Sequence, residues 1–210
     1  NAYSADFPDE IYGFHKELGL NYMQFIPILE PCSENPELSA DYSVPADKYG
    51  KFLNRIFDLW MNDFKEGAPT TSVRNFESVF FNYAGFESPE CTHQDECGTY
   101  LVIEHNGNVY PCDFFVEDEL LLGNVHNNKM IEMLNSEKQK NFGLVKRRRK
   151  EVCAGCEWLS KCYGGCIKDR VKNPADRHHL YFCESYKMFY AHADGKLTKL
   201  AEEWKKQNMQ

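Results

Sequence analysis

Residues 153–166 read Cys-Ala-Gly-Cys-Glu-Trp-Leu-Ser-Lys-Cys-Tyr-Gly-Gly-Cys, four thiols in fourteen residues at the spacing C-x2-C-x5-C-x3-C. Thiolates this crowded repel one another unless a cation neutralises them, and a metal held there contributes directly to folding. Gly155, Gly164 and Gly165 suit that reading, because glycine lets the backbone turn tightly around an inorganic core and leaves amides free to bond sulfur. Working outward, Cys91, Cys97 and Cys112 lie upstream and Cys183 downstream. The series is then C-x5-C-x14-C-x40-C-x2-C-x5-C-x3-C-x16-C, eight thiols or two sets of four. Zinc also accepts four thiolates per site, so spacing alone leaves zinc and iron-sulfur clusters both open. Disulfides fit less well: no signal peptide opens the chain, and a cytoplasmic location is expected, where thiols stay reduced. Cys32, alone after Pro31, reads as a semi-buried thiol rather than a ligand.

Composition narrows the partners. The chain has 210 residues, room for one well-cored domain or two small ones, and its 14% aromatic content supplies core material. No apolar run approaches the roughly 18 residues of a membrane helix. A formal charge of -8 argues against nucleic acid, and eight thiolates on two cores of charge about +2 would take it to about -12. The one strongly basic run, Lys146 to Lys150, reads as a solvated face, with charge compensation for the thiol sites as the second reading.

In chain order, residues 8–18 predict a helix: Pro8 suits the first turn, Asp9 and Glu10 its positive end, and Gly19 stops it. Asn21 to Leu29 reads as a strand buried on both faces, with Pro27 arguing for an edge or the strand end. After a polar loop, Pro45 opens a helix whose Tyr49, Phe52, Leu53, Ile56, Phe57, Trp60 and Phe64 form one broad apolar face up to Gly67. A short strand follows at Ser72 to Arg74. From Glu87 the texture changes to cysteines, glycines and short strands. Thr99 to Glu104 and Asn108 to Pro111 flank Asn106-Gly107, which predicts a hairpin with a type I′ turn that delivers Cys112 and Asp113 at its far end. Residues 122–125 read as a turn and 128–140 as a short helix. Tyr186 to Trp204 reads as a helical tail broken in two at Gly195.

With Gly107 five positions before Cys112, the cysteine series resembles the SPASM domain of radical S-adenosylmethionine enzymes, whose pattern is C-x9-15-G-x4-C, a gap, C-x2-C-x5-C-x3-C, a gap, C. Within that superfamily, C-T-H-Q-D-E-C followed by N-G-N-V-Y-P-C-D-F-F-V is similar to the anaerobic sulfatase-maturating enzymes, which carry an aspartate directly after the third cysteine, here Asp113. The resemblance implies an α/β fold: the C-terminal part of a partial parallel (β/α) barrel over residues 1–84, a cysteine-rich α+β SPASM domain with a β-hairpin over 85–190, and a helical tail over 191–210. Gln24 to Glu30 would then rise toward the barrel mouth, where such folds place their chemistry. No C-x3-C-x2-C occurs in the 210 residues. The chain therefore reads as the C-terminal part of a longer enzyme or, alternatively, as a protein that has lost the radical half.

The resemblance also implies the ligand sets: Cys91, Cys97, Cys112 and Cys166 for one 4Fe-4S cluster, and Cys153, Cys156, Cys162 and Cys183 for a second, with Cys166 crossing over as in two-cluster ferredoxins. Spacing alone leaves other partitions open. The seven histidines are not needed as ligands, although His93 is placed to hydrogen-bond a sulfur. S-adenosylmethionine and a third 4Fe-4S cluster would belong to the part outside this sequence. The substrate would be an unfolded sulfatase peptide, and the electron donor a flavodoxin or ferredoxin. Asp113 has an ordinary reading as a turn residue. As the family's base it would take the proton of a substrate thiol or hydroxyl, its pKa raised by the cluster charge and partial burial. Two other hypotheses stand beside this one: a different SPASM enzyme that crosslinks peptides, and a non-enzymatic zinc or electron-transfer module.

Overall fold

Helix α1 (Pro8–Glu17) begins at the proline and stops where Gly19 adopts φ +71, within one residue of the sequence expectation. The strand expected over 21–29 shrinks to β1, Tyr22–Met23. The rest of that segment is extended but bonds to loops and a side chain. Phe25 N–H donates to Asn75 Oδ1 (3.0 Å), and Ile28 O accepts from Val44 N–H (3.0 Å). Nor is it buried on both faces: Met23 and Leu29 are enclosed, whereas Tyr22 is 88% and Ile26 59% exposed.

Helix α2 (Ala46–Asn62) follows Pro45 and buries the anticipated stripe from Tyr49 to Trp60. It ends at Asn62, short of Gly67, because Glu66 (φ 53) and Gly67 (φ 83) form the tight turn of a small hairpin, β2 (Phe64–Lys65) with β3 (Ala68–Pro69). Two positive-φ residues in succession make a type I′ turn, whose twist matches its strands. Strand β4 (Ser72–Val73) pairs parallel to β1, so β1, α2 and β4 make a short βαβ unit. The chain then turns at once into α3 (Arg74–Ala84), a helix absent from the sequence reading, which Gly85 terminates at φ +86. Its Phe76, Val79, Phe80 and Tyr83 stand at i, i+3, i+4 and i+7 and pack on the core, a helical stripe that begins directly after the strand and that the sequence reading passes over.

The computed structural model describes residues 1–209. In its second half, β5 (Val102–Ile103), β6 (Asn108–Tyr110) and β7 (Gly123–Asn124) form an antiparallel sheet, so the turn expected at 122–125 is a paired strand. The β5–β6 connection is a three-residue loop. Glu104 N–H donates to Asn108 O and Gly107 N–H to Glu104 O, both at 2.8 Å, and Gly107 (φ 83) is the loop's only positive-φ residue. That is a turn closed by a glycine bulge in place of the expected type I′ turn. The single helix expected over 128–140 is two, α4 (Met130–Leu134) and α5 (Glu137–Val145), because Ser136 Oγ caps the second by accepting from Gln139 N–H at 3.2 Å.

Two short helices, α6 (Leu159–Cys162) and α7 (Ile167–Val171), precede α8 (Cys183–Asn208). Helix α8 is continuous, which corrects the expected break at Gly195. A glycine in a helix costs only about 1 kcal/mol, and flanking Ala193 and Leu197 are fully buried. Helices α2, α3 and α8 enclose an aromatic core: Phe57 meets Phe76 and Phe189 edge-on at 5.3 and 5.6 Å, and Phe76 stacks on Phe189 at 5.4 Å. Among the described residues no helix is long and apolar enough to cross a membrane.

Candidate metal centres

The upstream thiols come from four places. Cys91 opens a one-turn 3-10 helix, Cys97 sits in the loop after it, Cys112 follows β6, and Cys166 is the residue before α7. One small cavity is lined by all four, together with Tyr100, Phe115 and Phe142. The loop carrying Cys97 is held by α5. Cys97 N–H donates to Gly143 O (3.2 Å), and buried Gln139 donates Nε2–H to Gly98 O (2.9 Å) and Tyr100 O (3.0 Å). A Cβ on Gly143 would stand 2.5 Å from Cys97 O, so only glycine allows this approach. The ring pair Phe115–Phe142 (5.6 Å) flanks the cavity.

The downstream set is more local. Cys153, Cys156 and Cys162 lie in or beside short helical turns, and Cys183 is the first residue of α8. These four line a second cavity of about 660 Å³, with Trp158 and Leu180 in its wall. Gly164 (φ 77) and Gly165 (φ 64) turn the chain between the two sites, and a Cβ on Gly165 would lie 2.6 Å from Leu180 Cδ2.

All nine cysteines are free, so no disulfide joins them, and Cys32 lies half-buried away from both sets. Burial pushes the Cys162 thiol up to about 11 and Cys166 up to about 12. Each would keep its proton at neutral pH without a cation, and metal binding would displace it. Among the described residues no three His, Cys, Asp or Glu side chains stand close enough to hold one metal ion. The thiol sets ring cavities instead, an arrangement that fits a polynuclear core.

Asp113 projects beside Cys112 at the edge of the upstream cavity. Its Oδ1 accepts from Tyr100 Oη at 3.0 Å and lies 3.5 Å from Cys112 Sγ, which also lies 3.5 Å from Tyr100 Oη. The carboxylate is exposed, so the expected partial burial is not met. It opens onto a third cavity, of about 320 Å³, that also takes in Gln24, Arg74, Glu90, Cys166 and Lys168. There Gln24 Nε2–H donates to Glu90 Oε1 (2.8 Å), and burial pushes the Glu90 carboxyl up. The segment expected at a barrel mouth and the aspartate after Cys112 thus share one cavity.

Sequence reasoning missed Tyr100, because the type I′ register it expected sets a different residue opposite Cys112. Val102 pairs with Tyr110, and continuing that ladder sets Tyr100 opposite Cys112. His93 does not reach a sulfur: it is a core residue, its Nδ1 3.3 Å from Tyr190 Oη, and burial holds its ring neutral with a pKa of about 3. The basic run is not simply a solvated face. Arg147 pairs with Asp95 (2.9 Å) and Glu96 (2.6 Å), Arg149 with Asp95 (2.6 Å), and Lys150 with Asp176. Lys146 is fully buried, with Nζ donating to Cys91 O and to Thr92 O (3.0 Å).

Residues 76–157 match the family model described as SPASM, an iron-sulfur cluster-binding domain. The chain is 36% identical over 195 residues to the cysteine-type anaerobic sulfatase-maturating enzyme of Clostridium novyi (strain NT), covering 92% of this chain and 52% of that protein. It is 35% identical over 208 residues to the serine-type enzyme of Bacteroides thetaiotaomicron, covering 91% and 50%. Its structure superposes on native anSMEcpe with bound AdoMet and Cp18Cys peptide at a TM-score of 0.84 and 32% identity, over 96% of this chain and 56% of that one. The chain thus spans about half the length of the relatives it matches. Four-thiol sites, the superposition and the matched domain agree: residues 76–157 match an iron-sulfur cluster-binding SPASM domain, and the chain over nearly its whole length is similar to about half the length of the anaerobic sulfatase-maturating enzymes it matches.

Proposed function

We propose that this chain supplies the auxiliary-cluster part of an anaerobic sulfatase-maturating enzyme, which oxidises a cysteine or serine of an unfolded sulfatase segment to Cα-formylglycine. Residues 1–84 would complete a radical-enzyme barrel and residues 85–190 hold two 4Fe-4S clusters, with residues 191–208 continuing the last helix. The observation that carries this reading is the position of Asp113, which lines the cavity that takes in Gln24 and lies 3.5 Å from Cys112 Sγ of the four-thiol cavity. Cys91, Cys97, Cys112 and Cys166 would hold one cluster and Cys153, Cys156, Cys162 and Cys183 the other. Four thiols per set leave no iron open to substrate, so both clusters serve as electron relays or structural pins. When bound, they supply one-electron acceptance, while S-adenosylmethionine with a third cluster, from sequence outside these 210 residues, supplies hydrogen abstraction at the substrate Cβ.

The residues of this chain handle the proton. Asp113 accepts it from the substrate thiol or hydroxyl as that carbon is oxidised by two electrons, one leaving with the abstracted hydrogen atom and one to the relay. Tyr100, donating to Oδ1, fixes the carboxylate and leaves Oδ2 for the substrate. The thioaldehyde from cysteine is then hydrolysed with release of hydrogen sulfide, whereas serine gives the aldehyde directly. A flavodoxin or ferredoxin would return electrons.

The test uses the cluster-loaded enzyme and a sulfatase-derived peptide. Asp113→Asn keeps size and hydrogen bonding but not the base, so in the full-length enzyme the iron of all three clusters should stay at about twelve per chain. Formylglycine should fall by about 10²–10⁴-fold, the usual weight of a general base, while 5′-deoxyadenosine continues to form, uncoupled from product. Undiminished product would return Asp113 to a turn residue.

A further inference from the structure

Buried cations normally sit against carboxylates. Lys168, also enclosed, does so, its Nζ lying 2.8 Å from Asp169 Oδ1. Two others do not. Lys146 and Arg170 are both buried, and among the described residues neither forms an ion pair. Their donors go only to backbone carbonyls. Lys146 serves Cys91 O and Thr92 O; Arg170 serves Gly164 O (2.9 Å), Lys146 O (2.9 Å) and, more weakly, Tyr163 O (3.3 Å) and Arg148 O (3.4 Å). The two cations also repel each other, and Arg149 repels Arg170. An unpaired buried cation is destabilising, and carbonyl dipoles offset only part of that. Both are seated in the thiol-bearing loops: Lys146 holds the carbonyl of Cys91 itself, and Arg170 holds those of Tyr163 and Gly164, between Cys162 and Cys166. The charges attracting them are thus thiolates, Cys97, Cys91 and Cys166 for Lys146 and Cys153, Cys162 and Cys97 for Arg170.

We infer that Lys146 and Arg170 are the built-in counter-cations of the two thiol-held clusters, Lys146 serving the upstream one and Arg170, standing between the sets, serving both. This rests on the cluster reading of the thiol sets. Four thiolates on a core of charge about +2 make each site a dianion, and reduction adds a further negative charge. A cation fixed in a poorly screened interior favours the reduced form and raises the potential, most for the nearer cluster. The two residues are thus positioning and tuning groups for electron departure.

Redox titration of the cluster-loaded holoenzyme, followed by electron paramagnetic resonance, tests this. Lys146→Met should move the upstream cluster to more negative potential and leave the downstream one nearly unmoved. Arg170→Gln should lower both. Arg148→Met, an exposed member of the same basic run, should change neither. Full iron with wild-type potentials in Lys146→Met and Arg170→Gln overturns the inference. If either substitution loses iron, the charge-keeping partners Lys146→Arg and Arg170→Lys decide. Iron retained by these alone supports counter-charge, and iron lost by both members of a pair means that shape and hydrogen bonding set the requirement. A wild-type protein holding zinc and no iron would instead overturn the cluster reading itself.

Discussion

The two halves of the molecule are stabilised by different means. Around α2, α3 and α8, rings pack on rings and the hydrophobic core runs without interruption from Tyr12 to Leu197. Between residues 88 and 179 the buried apolar side chains are few, chiefly Val109, Tyr110, Met133, Phe142 and Ile167, and the strands are two or three residues long. That region instead gathers seven thiols around two cavities, an eighth, Cys183, coming from the start of α8, with buried Lys146, Arg170 and Gln139 bonded to the loops that carry them. The contrast shows where folding free energy must come from. Hydrophobic burial at roughly 25 cal/mol per Å² serves the aromatic half, whereas on the proposed reading the cysteine half would draw on its inorganic centres, as small metal domains do.

Removing the metal tests the contrast most severely. Anaerobic chelation should abolish amide protection across β5, β6, α5 and α7, with α2 and the middle of α8 remaining protected in hydrogen exchange. Uniform loss, or none, would remove the distinction. The reverse perturbation is Phe57→Ala, which opens a cavity among Phe76, Trp60 and Phe189. A stability loss of about 3–5 kcal/mol is expected in denaturant unfolding, with iron content unchanged.

Acid should act on the aromatic half at Asp63. Burial pushes its carboxyl up, but hydrogen bonds from Lys16, Tyr12 (2.7 Å) and Thr71 (3.1 Å) outweigh this and hold it below the usual carboxylate range. The folded pKa being depressed, this contribution is complete above the unfolded value of about 3.9 and is lost as pH falls through the folded one. Asp63→Asn should therefore cost about 1.5–3 kcal/mol at neutral pH and flatten the acid limb of the stability curve. The smallest effect belongs to the other half: Ser136→Ala, deleting the cap that starts α5, should cost about 1 kcal/mol and slightly loosen the Cys97 loop that α5 holds.

The sequence reading recovered α1, the buried stripe of α2 and the helical tail, because each rests on a long periodicity, and the thiols it grouped by spacing line two cavities four by four. It overran the strand at 21–29, where Asn75 and a loop, not a sheet, supply hydrogen-bond partners. It missed α3, and it placed a break at Gly195 that packing on both sides overrides. The basic run looked like a solvated face because burial of one lysine among five neighbouring cations leaves no mark in composition. Here Lys146 is turned inward while the carboxylates of residues 95 and 96 hold its neighbours at the surface.

The chemistry of the site was written in residue identity and spacing. Eight cysteines at metal-binding intervals and an aspartate after the third are properties of the chain itself, unaffected by how it folds. Which residues meet them was decided in three dimensions. The expected type I′ turn at Asn106-Gly107 would pair residue 105 with 108 and set Leu101 opposite Cys112. The three-residue loop instead pairs 104 with 108 and brings Tyr100 there. A one-residue change of register turns every side chain to the other face. The loop is held both locally, where Asn106 Oδ1 accepts from Asn108 N–H at 3.0 Å, and by a tertiary contact. Strand β7 packs Asn124 against Gly107, with Oδ1 3.0 Å from where a Cβ would lie, and donates Val125 N–H to Gly107 O. No local signal at residues 105–107 carries that contact, because its other half lies seventeen residues downstream.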